Sequence, residues 1–84
     1  MKKERKALGT VLRRFRKSRE FTQENLSFES GVDRNFISLI ELGESSPSWD
    51  TICLLCKALN ITSSHLAAAF DKEMLQGCHE KQNS

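Results

Sequence analysis

Arg34 and Asn35 stand side by side in this 84-residue chain, and together they carry the hydrogen-bonding forks that tell bases apart in duplex DNA. A guanidinium can make paired bonds to guanine O6 and N7, and a carboxamide can do the same to adenine N6 and N7. Both must project from the exposed start of a helix to reach base edges in a major groove. The segment that would supply such a helix is TQENLSFESGVDRNFISLIELG, Thr22 to Gly43, which has the pattern of two short helices joined by a tight turn at Gly31. At about 100° of rotation per residue, Phe36, Ile37 and Ile40 fall on one side of the second helix. Arg34, Asn35, Ser38, Leu39 and Leu42 fall on the other. The first side can dock on a core while the second stays open.

Local signals support this division. Thr22 is a good N-cap, with Glu24 placed favourably for the helix dipole. Phe21 and Leu26 occupy the positions of a hydrophobic staple. Gly31 can take the left-handed conformation that stops the first helix, and Asp33 can cap the second. Ser27 and Ser30 are small and lie toward the Leu26 face, as a close helix crossing requires.

With these residues in view, the chain resembles the helix-turn-helix family of Cro and the lambda-type phage repressors. The likeness runs from about Leu8 to about Leu66, through LGTVLRRFR, FTQENLSF, SGVDRNFISLIELG and PSWDTICLLCKALNI. Within the family, DRNFIS is similar to the controller proteins of restriction–modification systems. The resemblance implies an all-α, five-helix lambda-repressor-like fold, a homodimer on a pseudo-palindromic operator, and a role in transcription regulation. It implies base contacts by Arg34, Asn35, Ser38 and Leu39, the last against a thymine methyl. It implies a phosphate bond from Gln23 and a partly buried ion pair of Arg16 with Glu41, Arg16 also reaching a phosphate. The loop ELGESSPS departs from the family's usual basic or amide loop, so Ser45 and Ser46 are the expected replacements for its phosphate contacts.

The charge distribution agrees with a polyanionic partner. The formal charge is only +2, but residues 1–20 carry nine Lys or Arg against two Glu, a local balance of +7, and the rest carries −5. The basic end would be drawn to DNA. Residues 1–5 read as a mobile basic arm, with Lys2, Lys3, Arg5 and Lys6 expected on phosphates or in the minor groove. A composition of 38% apolar and 29% charged residues fits one small globular domain, with no apolar run near the roughly 20 residues that span a bilayer. The basic start leads into an amphipathic segment instead of a secretory signal, so the cytoplasm is the expected location.

The remaining segments read as a scaffold. A first helix from about Lys6 to Ser18 aligns Leu8, Val11, Leu12 and Phe15. A fourth, from Ser48 to about Leu59, aligns Ile52, Leu55, Cys56 and Leu59, with Trp49 over the core or at a subunit contact. A fifth, starting after Thr62 and running to about Leu75, aligns Leu66, Ala69, Phe70 and Met74 as the expected dimer interface. Residues 6–76 thus form the DNA-binding and dimerisation domain, and 77–84 are expected to be disordered. Phe28 points away from Leu26 and is expected on the surface, against a second protomer or RNA polymerase.

Competing chemistries are weaker. Cys53, Cys56, Cys78 and His79 could in principle make a tetrahedral zinc site, but the first two lie inside an amphipathic helix and the others lack turn signals. Free thiols are the expectation, with no metal and no cofactor. His65 and His79 have no nucleophile or carboxylate framework, so no enzyme is expected. An antitoxin-like or bridging protein-interaction module on the same fold is the alternative function.

Overall fold

The computed structural model describes the backbone of residues 2–83 and the side chains of residues 3–76. The chain is built from α1 (Lys2–Ser18), α2 (Gln23–Ser30), α3 (Arg34–Glu41), α4 (Trp49–Leu59) and α5 (Ser63–Asn83), with no strand among the described residues. Two expected boundaries are corrected. α1 begins at Lys2, so residues 2–5 are helical and do not form an extended arm able to enter a minor groove. Nothing between Lys2 and Leu8 breaks a helix, and Glu4 lies in the first turn, where the helix dipole favours an acid. α5 passes Leu75, its helical backbone running to Asn83; Ser84 lies outside the described residues. Gly77 alone costs a helix only about 1 kcal/mol, and good helix formers follow it.

Caps set the other boundaries. Thr22 Oγ1 accepts from the Asn25 amide at 3.0 Å, while Asn25 Oδ1 accepts from the Thr22 amide at 3.1 Å, a reciprocal capping box at the start of α2. Ser48 caps α4 by accepting from the Thr51 amide at 3.2 Å. Thr62 does the same for α5 by accepting from His65 at 3.0 Å. Asp33 stands at the N-cap of α3 but makes no side-chain cap bond. The turn before it is held by serines: Ser27 Oγ donates to the Val32 carbonyl at 2.6 Å, and the Val32 amide donates to Ser30 Oγ at 3.1 Å.

Two apolar clusters make the core. Leu12, Leu26, Val32, Ile37, Ile40, Leu55 and Leu59 join α1 to α2, α3 and α4, with Phe21 packed against them. Val11, Cys56 and Leu66 join α1 to α4 and α5. Both α4 and α1 contribute to the two clusters, and α1 packs on α3 and α5 as well. It crosses α3 at Gly9, where an added Cβ would lie 2.6 Å from the Glu41 carbonyl oxygen and closer still to that of Ile40. No larger residue fits there without moving backbone.

α5 corrects the expected interface stripe. Its chain direction turns by 103° from that of α4, which lays Leu66 onto Val11 and Cys56, where it is 4% exposed, with Ala69 packed on the same cluster. Leu66 is thus chiefly a core residue, with only its edge at the floor of a shallow apolar groove between α1, α4 and α5. Phe70 and Met74 remain half-buried. A bridge from Arg14 Nη2 to Glu73 Oε1, 2.9 Å long, ties α5 to α1 at the surface. Trp49 is 64% exposed and does not cover the core.

Candidate nucleic-acid interface

The two faces of α3 separate as the periodicity predicts. Ile37 and Ile40 are fully buried, while Arg34, Asn35 and Leu39 are exposed and Ser38 is half-buried. Because the serine-fastened turn sets where α3 begins, Arg34 and Asn35 emerge together in its first turn. They are free to present donors and acceptors outward.

Beneath this face lies a network that explains its rigidity. Arg16 Nε donates to Glu41 Oε2 at 2.7 Å, and Nη2 donates to Oε1 at 3.0 Å. Arg16 Nη1 donates to the Phe21 carbonyl at 2.7 Å. The paired side chains are only 10% and 4% exposed, so the end of α1, the end of α3 and the start of α2 are locked by one bidentate pair. Three of the five guanidinium N–H groups are thereby committed inside the protein. The internal role of Arg16 is thus the dominant one, and its remaining two N–H groups lie at the edge of an open hollow.

Gln23 was expected to meet a phosphate, and its surroundings are more specific than that. Its Nε2 donates to Glu41 Oε1 at 3.1 Å. A carboxylate only accepts, so this bond fixes which way the amide points. One N–H of Gln23 stays available beside the amide-rich start of α2. Gln23 lines an open hollow of about 560 Å³ together with Arg16, Lys17, Thr22 and Arg34. Glu20 and Glu24 stand on the same walls, so the hollow is of mixed charge. Lys17 is a member that sequence reasoning missed, because its nearness to Gln23 and Arg34 depends on how α1 meets α2 and α3.

The remaining expected phosphate residues are dispersed. Ser45 is half-buried and Ser46 exposed in the loop after α3. Lys3 and Lys6 are exposed on α1, Arg5 is half-buried, and the Lys2 side chain lies outside the described residues. Lys6 lies against Gly43, its Cγ 2.8 Å from where a Cβ would stand on that glycine. A cation from α1 therefore flanks the loop, which has none of its own.

Other candidate sites do not assemble. Cys53 is exposed and Cys56 buried, both as free thiols, and burial followed by the nearby Cys53 pushes the Cys56 thiol above its ordinary value. Among the described residues no three His, Cys, Asp or Glu side chains cluster as metal ligands; Cys78 and His79 lie outside the described side chains. No single helix among the described residues is long and apolar enough to cross a membrane.

Comparison with known proteins agrees with this architecture. The chain is 29% identical over 68 residues to an uncharacterized HTH-type transcriptional regulator, y4dJ, of Sinorhizobium fredii, covering 81% of this chain and 88% of that protein. The crystal structure of the clp gene regulator ClgR from Corynebacterium glutamicum superposes with a TM-score of 0.86 at 28% identity, covering 95% of this chain and 86% of that one. The restriction-modification controller protein C.Esp1396I, solved as a tetramer with its natural 35 base-pair operator, superposes with a TM-score of 0.80 at 26% identity, covering 86% and 95% of the two chains. The helix-turn-helix family matches residues 12–66, a span that takes in α2, α3 and the core beneath them, and the chain belongs to that family of transcriptional regulators.

Proposed function

We infer that this regulator acts by laying α3 in the major groove of an operator, with Arg34 and Asn35 reading bases. The observation that carries this is the division of α3: Ile37 and Ile40 are fully buried while Arg34 and Asn35 stand free in its first turn. Ser38 and Leu39 continue the same face. Gln23 and Lys17 stand beside Arg34 and Lys6 flanks the loop after α3; with Lys3, Ser45 and Ser46 they supply phosphate contacts, which set register without reading sequence. Double-stranded DNA is the main partner, as it is for the operator-bound controller protein of the same fold, and such a regulator works in the cytoplasm on the nucleoid. Control of restriction–modification genes follows the same likeness.

A homodimer fits this reading, since a two-fold protein matches a pseudo-palindromic site. The surface that suits it is an apolar groove of about 200 Å³ between α1, α4 and α5, lined by Leu8, Trp49, Ile52, Ala67 and Phe70. Phe70 and Met74 remain its expected contacts on α5, with Trp49 as the exposed anchor. Phe28, 86% exposed on the far side of α2, is open to RNA polymerase.

Selection of a preferred site from random duplexes, followed by fluorescence titration, tests the reading. Arg34→Ala and Asn35→Ala are each expected to weaken the preferred site by roughly 1–3 kcal/mol and random DNA much less. If both variants keep the full base preference, α3 is not the reading element.

A further inference from the structure

Asp33 opens α3 and is left without the bond its position suggests. Its backbone is that of an N-cap: the Asp33 carbonyl accepts from the Ile37 amide at 3.0 Å, with φ −57° and ψ 133°. An aspartate in this place usually accepts from an amide two or three residues on, yet its carboxylate makes no such bond. The turn before α3 is fastened by Ser27 and Ser30 through Val32 instead. Asp33 is exposed, as are Arg34 and Asn35 after it. Among the described residues neither Asp33 nor Arg34 joins an ion pair. Adjacent side chains on a helix do not face each other, so Arg34, the one cation of α3, leaves the neighbouring charge bare.

A bare carboxylate at this point opposes DNA binding unless the DNA supplies a donor. When α3 lies in a major groove its first residues come nearest the base edges, between two rows of phosphates that repel a negative charge. A carboxylate can only accept, and the donors in that groove are the amino groups at cytosine N4 and adenine N6. Adenine sets its N7 acceptor beside N6, which repels a carboxylate, whereas cytosine shows its amino group with no acceptor next to it on the same base. Asn35, with both a donor and an acceptor, suits the adenine edge. Asp33 suits cytosine. The Cα atoms of consecutive residues are about 3.8 Å apart, close to the ~3.4 Å spacing of bases along a strand. A guanine read by Arg34 and a cytosine read by Asp33 therefore fall on the same base pair or on neighbouring ones.

We propose that Asp33 is a specificity-determining residue, its carboxylate accepting a hydrogen bond from cytosine N4 beside the guanine of Arg34 and disfavouring DNA that lacks that cytosine. The proposal rests on α3 being the DNA-reading helix. The charge acts with opposite signs on the two kinds of DNA: it gains a charge-assisted bond at the right base and is repelled by phosphates and base acceptors elsewhere. Exchange for the neutral, equally sized asparagine separates the two. Asp33→Asn is expected to lower affinity for the site selected by the wild type about tenfold and to raise affinity for random duplexes roughly two- to fivefold. Selection from random duplexes with this variant should no longer recover the cytosine. A methyl on cytosine N4, which replaces the amino hydrogen facing the major groove and keeps the base pair, should weaken wild-type binding about tenfold and leave Asp33→Ala unaffected. No cap bond is lost in either variant, so both should melt within a few degrees of the wild type.

Equal changes on the selected site and on random DNA would assign Asp33 to the folding of the α3 start and overturn the proposal. A selected site with no cytosine within one base pair of the guanine that Arg34→Ala ceases to select overturns it too, and leaves α3 as the reading helix. A methylation loss that persists in Asp33→Ala is a clash of the added methyl and counts against the proposal in the same way. If Arg34→Ala and Asn35→Ala also keep the full base preference, the reading helix and the role of Asp33 fall together.

Discussion

Arg16 shows how one residue can matter to binding through the neighbours it holds. Its guanidinium spends three donors on Glu41 and the Phe21 carbonyl, and Glu41 in turn orients Gln23. Arg16→Ala leaves a buried carboxylate without its cation, so a loss on the order of 3–5 kcal/mol of folding stability is expected by urea denaturation. A double-mutant cycle with Glu41→Ala should show strong coupling, and additive losses would show that the pair contributes nothing of its own. Cys56 offers a second check. Burial raises its folded-state pKa above the ordinary 9.0, so stability from the neutral thiol is complete below about pH 9 and is lost as pH rises through the higher folded value. Denaturation of wild type and Cys56→Ala across that alkaline range should show the difference between them shrinking as pH rises. Cys53, exposed, should react with a thiol reagent before Cys56. The pair Arg16–Glu41 was legible from the family resemblance, yet the bond to Gln23 was not, because it completes a network over three helices whose approach no local pattern encodes.

At the scale of elements, helix order and most starts were readable because caps are local. Thr22, Ser48 and Thr62 each make the bond their type and position predict. The early start of α1 was missed for a local reason too: a basic start resembled an arm, although it contains no strong helix breaker. Gly9 is the element-scale residue whose role lay hidden. Within α1 an alanine should gain about 1 kcal/mol in helix propensity, but its Cβ would press into two carbonyl groups of α3. Gly9→Ala is therefore expected to destabilise by ~1–3 kcal/mol net, measured by thermal or urea unfolding. Equal or greater stability would mean that α1 and α3 can separate at little cost, and the rigid placement of the reading helix would lose its support.

For the whole molecule, the charge split places +7 on residues 1–20, most of it along α1, which also spans both core clusters. Salt dependence should report this. Lys6→Ala and Lys17→Ala are each expected to lower the magnitude of the log affinity–log salt slope by about 0.9 if each loses one phosphate, with base preference kept. An unchanged slope would remove that lysine from the interface. Dimerisation has its own test at the groove lined by Trp49 and Phe70: sedimentation of Trp49→Asp and Phe70→Asp should show monomers where the wild type is a dimer. A wild type that stays monomeric at high micromolar concentration would rule out the dimer.

The sequence by itself determined the five-helix order, the capped starts of α2 and α4, the two faces of α3 and the exposure of Arg34, Asn35 and Phe28. These depend on helical period and on bonds between residues three or four apart. Tertiary structure alone decided that Leu66 belongs to the core, that Trp49 does not, that Lys17 and Lys6 stand beside the α2–α3 face, and that Arg16, Glu41 and Gln23 form one network. The apolar stripe of α5 reads the same whether it covers its own domain or a partner. The 103° turn from α4 settles the question for Leu66, because it brings that residue onto Val11 and Cys56, and no periodicity in a single helix contains that angle.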